Sequence, residues 1–266
     1  MGTEVRSPAG TGGVALVRIA AVGDLHFGAE LAGQVRGNFG RLSEEADMLL
    51  LAGDLTQHGS VEEAEILTHE LAHLTIPIFA VLGNHDYHSG KQDEIRDLLE
   101  DRGVTILEGE AREIMVRGVR VGIAGSKGFG GGFLGACGTE FGEPEMKAFI
   151  RHTKQVAERF HAALSSLKSD IKIALLHFSP TEGTLHGERL EIYPFLGSYM
   201  LGEAIDRTGV TLAFHGHAHR GTERGITAAG VPVRNVARTV IQRAYKVYEI
   251  GCSRVDRNVY DHRTMI

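Results

Sequence analysis

This chain of 266 residues has little cysteine, no long apolar run and no excess of positive charge, and each lack removes a class of function. Its two cysteines, Cys137 and Cys252, stand far apart and without CxxC spacing. That excludes a disulfide framework and a thiolate zinc site. No apolar stretch approaches the ~20 residues needed to cross a bilayer. Residues 1–13 are small, polar and Gly-rich and lack the apolar segment of a secretory signal, so they read as a flexible leader. The expectation is a cytoplasmic protein with no membrane partner. A net charge of −6 argues against stable nucleic-acid binding. The series Arg234, Arg238, Arg243 and Lys246 has no interleaved aromatics for base stacking and reads as a solvated face.

What is present suits one globular core. Hydrophobic residues make up 42% and charged residues 23%, and no shift in composition marks a linker. The chain therefore divides into the leader, a single domain over 14–250 and a polar tail over 251–266. Short apolar runs end at glycine-led turns: Val14 to Val22 at Gly23-Asp24, Met48 to Ala52 at Gly53-Asp54, and Ile78 to Leu82 at Gly83-Asn84. Such runs fit strands buried on both faces. Helical stretches separate them: a weak one over Leu31 to Glu45, and a better one over Ser60 to His73. In the latter, Ser60 and Glu63 have capping-box spacing. This is a βαβαβ opening, with further helices expected over Lys91 to Arg102, Glu143 to Lys168 and Ser198 to Arg207. Further strands are expected at Val104 to Leu107, Arg112 to Val116, Val119 to Ala124, Ile171 to Leu176, Val210 to Phe214, Val231 to Asn235 and Tyr245 to Ile250.

Asp24, Asp54 and Asn84 are spaced 30 residues apart, one strand–helix–strand unit each. Their side chains should leave the same carboxyl edge of neighbouring parallel strands, where open α/β sheets place ligands. Asp24 and His26 are two residues apart, as are His217 and His219, and His177 closes the run Ile171 to Leu176. The inventory is two Asp, one Asn and four His, with no thiolate. It suits two adjacent divalent ions, Mn first and Fe, Zn, Co or Ni next. Two ions ~3.5–4 Å apart clamp a phosphoryl group and lower the pKa of a bridging water. Asp54, central in the series, is the natural bridge. His85 is then the candidate acid for the leaving oxygen, with Asp86 placed to orient its ring.

In this order, Asp24-x-His26, Gly53-Asp54, Gly83-Asn84-His85-Asp86, His177 and Gly216-His217-x-His219 resemble the calcineurin-like metallophosphoesterase superfamily. The resemblance spans Asp24 to His219 and is complete at every motif. It implies one metal on Asp24, His26, Asp54 and His219, and the other on Asp54, Asn84, His177 and His217. A metal-bridging hydroxide is the implied nucleophile, and His85, supported by Asp86, meets the phosphate and leaving group. The implied fold is α/β, a four-layer αββα sandwich of two mixed β-sheets flanked by helices. A less specific similarity, from His177-Phe178-Ser179-Pro180 through Pro194-Phe195-Leu196-Gly197-Ser198, is to small bacterial members of the superfamily.

The expected activity is hydrolysis of a small phosphodiester, nucleotides included. A nuclease or a phosphomonoesterase uses the same ligands, and a non-catalytic scaffold would have lost some of them. His215, on the strand side of Gly216, reads as a supporting histidine. His58 and His88 follow the motif turns and can approach the site, whereas His69 and His73 read as a solvated helix face. The Gly-rich segment Gly125 to Gly142 is read either as a mobile surface connection or as a rim that offers N–H groups and Lys127 to phosphate. The loop Phe178 to Phe195, with His186, Glu188 and Arg189, is the substrate-rim candidate. Its bland alternative is a surface ion pair between Glu188 and Arg189.

Overall fold

Alternation along the strands fixes the layers. In β9 (Ile171–Leu176), Ile171, Ile173 and Leu175 join the central core, while Ala174 and Leu176 face an outer core beneath helices. A period of two is what a strand covered on both faces requires. The computed structural model describes residues 14–28 and 37–253. The leader over 1–13, the first part of the weak helix and all but 251–253 of the tail lie outside the described residues. In the described part of that weak helix, residues 37–38 are helical, the chain turns over 39–41, and a one-turn helix follows over Leu42–Glu45.

One sheet runs β13 (Lys246–Ser253), β1 (Val14–Val22), β2 (Met48–Ala52), β3 (Ile78–Val81) and β4 (Val104–Ile106). Strands β1 to β4 are parallel, and β13 is antiparallel on the edge. The other sheet runs β11 (Arg224–Ile226), β12 (Pro232–Asn235), β10 (Leu212–His215), β9, β6 (Val119–Ser126) and β5 (Glu110–Val116). Its four inner strands are parallel and its two edges antiparallel. The tight turn between β5 and β6 puts Arg117 and Gly118 at positive φ, as a two-residue hairpin of this twist demands.

Two mixed sheets face each other over one apolar core that includes Leu50, Val81, Ile123, Ile173 and Phe214. Helices α1 (Val61–Leu71) and α2 (Gln92–Asp101) bury Ala64, Leu67, Ile95 and Leu99 over the first sheet, in an apolar cluster continuous with that core. Helices α3 (Pro144–Ser166) and α4 (Tyr199–Asp206) bury Val156, Phe160, Leu201 and Ile205 over the second sheet. The result is the four-layer αββα sandwich. The capping box of α1 forms as expected: Ser60 accepts from Glu63 N, and the Glu63 carboxylate accepts from Ser60 N. Such a cap is worth about 1 kcal/mol.

The Gly-rich segment differs from a mobile surface connection. Gly128, Gly130, Gly131 and Gly132 are buried. Thr153 Oγ1 in α3 donates to Gly130 O at 2.7 Å, and Gly131 N donates to Pro194 O at 2.7 Å. A short hairpin, β7 (Gly132–Phe133) with β8 (Ala136–Cys137), follows. At Gly130 a Cβ would stand 2.7 Å from Pro194 O, so absence of a side chain is what lets the two loops close on each other.

Candidate metal centre

Every motif residue sits just past a strand end at one edge of the sandwich. Asp24, Asp54 and Asn84 follow β1, β2 and β3 of the first sheet; His177, His217 and His219 follow β9 and β10 of the second. The turns are unusual. Six described non-glycine residues have positive φ, and four are motif residues: Asp24 (56°), His26 (45°), Asp54 (48°) and His217 (69°). A left-handed residue costs roughly 1–2 kcal/mol, and such strain clusters where function requires it. Backbone bonds hold the turns together: Asp24 N donates to Gly53 O and His26 N to Asp54 O, each at 2.9 Å.

Two ligand groups emerge. The donor atoms of Asp24, His26, Asp54 and His219 lie within 4.8 Å of one another, as do those of Asp54, His177 and His217. Asp54 belongs to both. Its Oδ2 is 3.7 Å from His26 Nε2 and its Oδ1 is 3.3 Å from His177 Nε2. Asn84 joins the second group, with Oδ1 2.9 Å from His177 Nε2. In the first, His219 Nε2 stands 2.8 Å from Asp24 Oδ1. Both Asp24 oxygens also accept from His217 N, at 2.9 Å each. The structure thus brings together all seven expected ligands. Two glycines make the approach possible. A Cβ at Gly83 would collide with the Asp54 carboxylate, and one at Gly53 (φ 80°) would strike the His177 ring.

The electrostatics suit metal ions. Burial lowers the His26 pKa to about 4 and that of His217 to about 3, and holds His177 well below its ordinary value. Neutral imidazoles with free lone pairs are the form a metal takes. Burial also raises Asp24 to about 6, with the Asp54 charge adding to it, while the hydrogen bond from His219 opposes the rise. Two carboxylates this close repel unless cations neutralise them. His177 Nδ1 donates to Ala52 O at 2.9 Å, which leaves Nε2 facing the site.

His85 and Asp86 separate in role. The His85 backbone N donates to Asp54 Oδ1 at 2.8 Å, and its Nδ1 donates to Gln57 O at 2.7 Å. Its ring lies edge-on to His26, centroids 4.4 Å apart. The expectation that Asp86 orients this ring is corrected: the Gln57 carbonyl does so. Asp86 is fully buried and accepts from Leu55 N, Thr56 N, Thr56 Oγ1 and Gly83 N. It ties the Asp54 turn to the Asn84 turn. Burial pushes its carboxyl up to about 6, against those hydrogen bonds.

Other expectations sort themselves. His215 is buried as a support, with Nδ1 bonded to Gly216 O at 2.7 Å and Nε2 to Thr184 Oγ1 at 2.8 Å. His58 turns outward to pair with Glu63. Arg189 pairs with Glu191 rather than Glu188, whose carboxylate accepts from Arg220 N. Residues missed by sequence reasoning are Gln57, Thr56 and Phe178, whose ring lies 4.3 Å from that of His217. A carbonyl contact and a ring stack leave no motif to find.

Residues 17–221 match the calcineurin-like phosphoesterase family. The chain belongs to that family. An uncharacterized metallophosphoesterase of Aquifex aeolicus is 35% identical over 104 residues, 37% of this chain and 38% of that protein. This chain thus aligns with less than half of that relative's length. Among solved structures, a phosphopantetheinyl hydrolase of Mycobacterium tuberculosis superposes with a TM-score of 0.61 at 15% identity, over 86% of this chain and 95% of that one. A putative 5′-nucleotidase of Staphylococcus aureus gives 0.54 at 16% identity, over 83% of this chain and 48% of that one. These likenesses establish the shared fold. Among the described residues, no helix is long and apolar enough to cross a membrane.

Proposed function

We propose that this chain hydrolyses small phosphodiesters, nucleotides among them, with two divalent ions, manganese by preference. The observation that carries the reading is Asp54, which turns one carboxylate oxygen toward each ligand group. Asp24, His26, Asp54 and His219 would hold one ion; Asp54, Asn84, His177 and His217 the other. The chemistry that two divalent ions held there would supply is charge neutralisation of a phosphoryl group and a lowered pKa for the attacking water.

The protein's own residues do the rest. The Gln57 carbonyl keeps a proton on His85 Nδ1, so Nε2 is the atom that gives up or takes up a second proton beside the leaving oxygen. Asp86 fixes the two turns that carry Asp54 and His85. Rings extend the site outward from His217 through Phe178, Phe129 and Phe149 to Phe195, which is 61% exposed. The Phe195 carbonyl lies 3.3 Å from His217 Nε2. Such a wall gives the second organic group of a diester an apolar surface, which a monoester does not need. The unpaired cysteines Cys137 and Cys252 fit a reducing compartment, the cytoplasm.

The deciding experiment uses metal-stripped protein reloaded with Mn²⁺, on bis-p-nitrophenyl phosphate and p-nitrophenyl phosphate in parallel. Faster turnover of the diester is expected. Activity on the monoester alone would make the protein a phosphatase, and no turnover with both ions bound would favour a scaffold.

A further inference from the structure

Lys127 is built into the candidate site but is not one of its ligands. Its backbone leaves β6 and is fixed on both sides. Lys127 N donates to Glu108 Oε1 at 3.1 Å, and Lys127 O accepts from His177 N at 3.2 Å and Phe178 N at 2.9 Å. The ammonium lies over three rings: Tyr87 at 4.8 Å, Phe129 at 5.1 Å and Phe178 at 5.4 Å. Two of the three flank the ligand groups in sequence, Tyr87 beside Asn84-His85-Asp86 and Phe178 beside His177. Phe178 also stacks against His217. Phe178, which lies against both His177 and His217, therefore joins the cage to that side of the centre.

Ring faces attract the charge but accept none of the three N–H bonds in the usual way. Among the described residues the ammonium has no hydrogen-bond or ion-pair partner; the carboxylates of Glu108 and Asp54 act on it only from beyond contact. Holding a cation beside a position for a divalent ion is repulsive unless an anion lies between them. Three unspent donors in a half-buried, ring-walled site match the oxygens of a phosphate.

Resting on the phosphoesterase reading, we propose that Lys127 is a specificity residue. It binds a second phosphate group of the substrate, one that is not hydrolysed, on the His177–His217 side of the metal centre. The preferred substrates are then organic phosphates that carry a second phosphate near the ester to be cut.

The test compares two esters with the same scissile bond, thymidine 5′-(p-nitrophenyl phosphate) and its 3′-phosphorylated form, on Mn²⁺-loaded protein. The 3′-phosphorylated ester should show a KM lower by ~tenfold, the effect of one charge-assisted contact. Lys127→Met should collapse that preference by raising KM for the 3′-phosphorylated ester far more than for the other, and Lys127→Arg should restore part of it. A merely structural role would lower kcat for both esters alike and leave their KM ratio unmoved. That outcome, or a wild type without preference, overturns the proposal. Calorimetry with thymidine 3′,5′-bisphosphate and thymidine 5′-monophosphate gives a readout independent of turnover. If the wild type hydrolyses neither ester, the phosphoesterase reading fails, while tighter binding of the bisphosphate that Lys127→Met abolishes still upholds the anion site. Should Lys127→Met fail to fold, Lys127→Gln takes its place in both measurements.

Discussion

His26 and His219 point their Nε2 atoms at each other across 3.4 Å. Burial keeps the His26 imidazole neutral, and among the described residues its buried Nδ1 has no hydrogen-bond partner. Two imidazole nitrogens this close, each beside a carboxylate oxygen of Asp54 or Asp24, form a pair that a divalent ion would tie together. Mn²⁺ added to stripped protein should therefore raise Tm, with a gain of about 2.7 kcal/mol at a hundredfold excess over Kd. In Asp54→Ala that shift should vanish, and elemental analysis should find both ions lost. An undiminished shift in the variant would remove Asp54 from the bridging position.

His85 should matter for turnover and not for occupancy. In His85→Ala both ions should stay bound, while kcat falls by roughly 10²–10⁴-fold, the range for one general acid or base. The loss should steepen along a series of aryl esters as the leaving group becomes poorer. A flat dependence on the leaving group would deny this ring its part in protonation.

Gly83→Ala tests the packing that lets Asp54 reach both ligand groups. The new methyl group meets the Asp54 carboxylate and must displace it. Metal affinity should drop ~10–100-fold, the cost seen when support for a ligand is disturbed. Gly37→Ala, where no atom of the described residues lies within 4 Å of the added Cβ, should bind metal as before. Equal affinity in the two variants would show that the turn yields without effect on the centre.

Asp47 joins the sheets at the opposite end. It binds Arg18 of β1 at 3.0 Å and Arg117 of the β5–β6 turn at 3.0 Å. Burial pushes its carboxyl up, and the two guanidiniums outweigh this, so its pKa falls below 3.8. A depressed carboxylate stabilises fully above its unfolded pKa and loses that contribution as pH falls through the folded value. Asp47→Asn should therefore cost about 1–3 kcal/mol at pH 7, the range for hydrogen bonds to charged groups. The gap should narrow as urea midpoints are followed from pH 5 to pH 3. A gap independent of pH would mean that packing, not charge, is lost.

Much of the centre was legible because its chemistry is concentrated at strand ends. The 30-residue spacing of Asp24, Asp54 and Asn84 encodes neighbouring parallel strands, and a strand's carboxyl end is a place that apolar patterning can find. Asp86 was misread for the opposite reason. A carboxylate adjacent to His85 in sequence suggests a ring partner, yet its four donors come from the β2 turn and Gly83, set by tertiary approach. The burial of Gly128 to Gly132 was equally hidden. Glycine richness denotes a permissive backbone, and whether solvent or another loop fills the freed space depends on Pro194 and α3, far along the chain.

Five strands from two separate sheets end at the centre, and none of its ligands comes from the middle of a helix or strand. The metal groups are therefore assembled from two bodies and work as a gauge of how those bodies are aligned. A substitution deep between the sheets, at Ile173 or Leu50, that lets one slide by a fraction of an ångström would part Asp54 from His177. Such a variant would still fold and would lose its ions first, so metal affinity reports the seating of the core more sensitively than melting does.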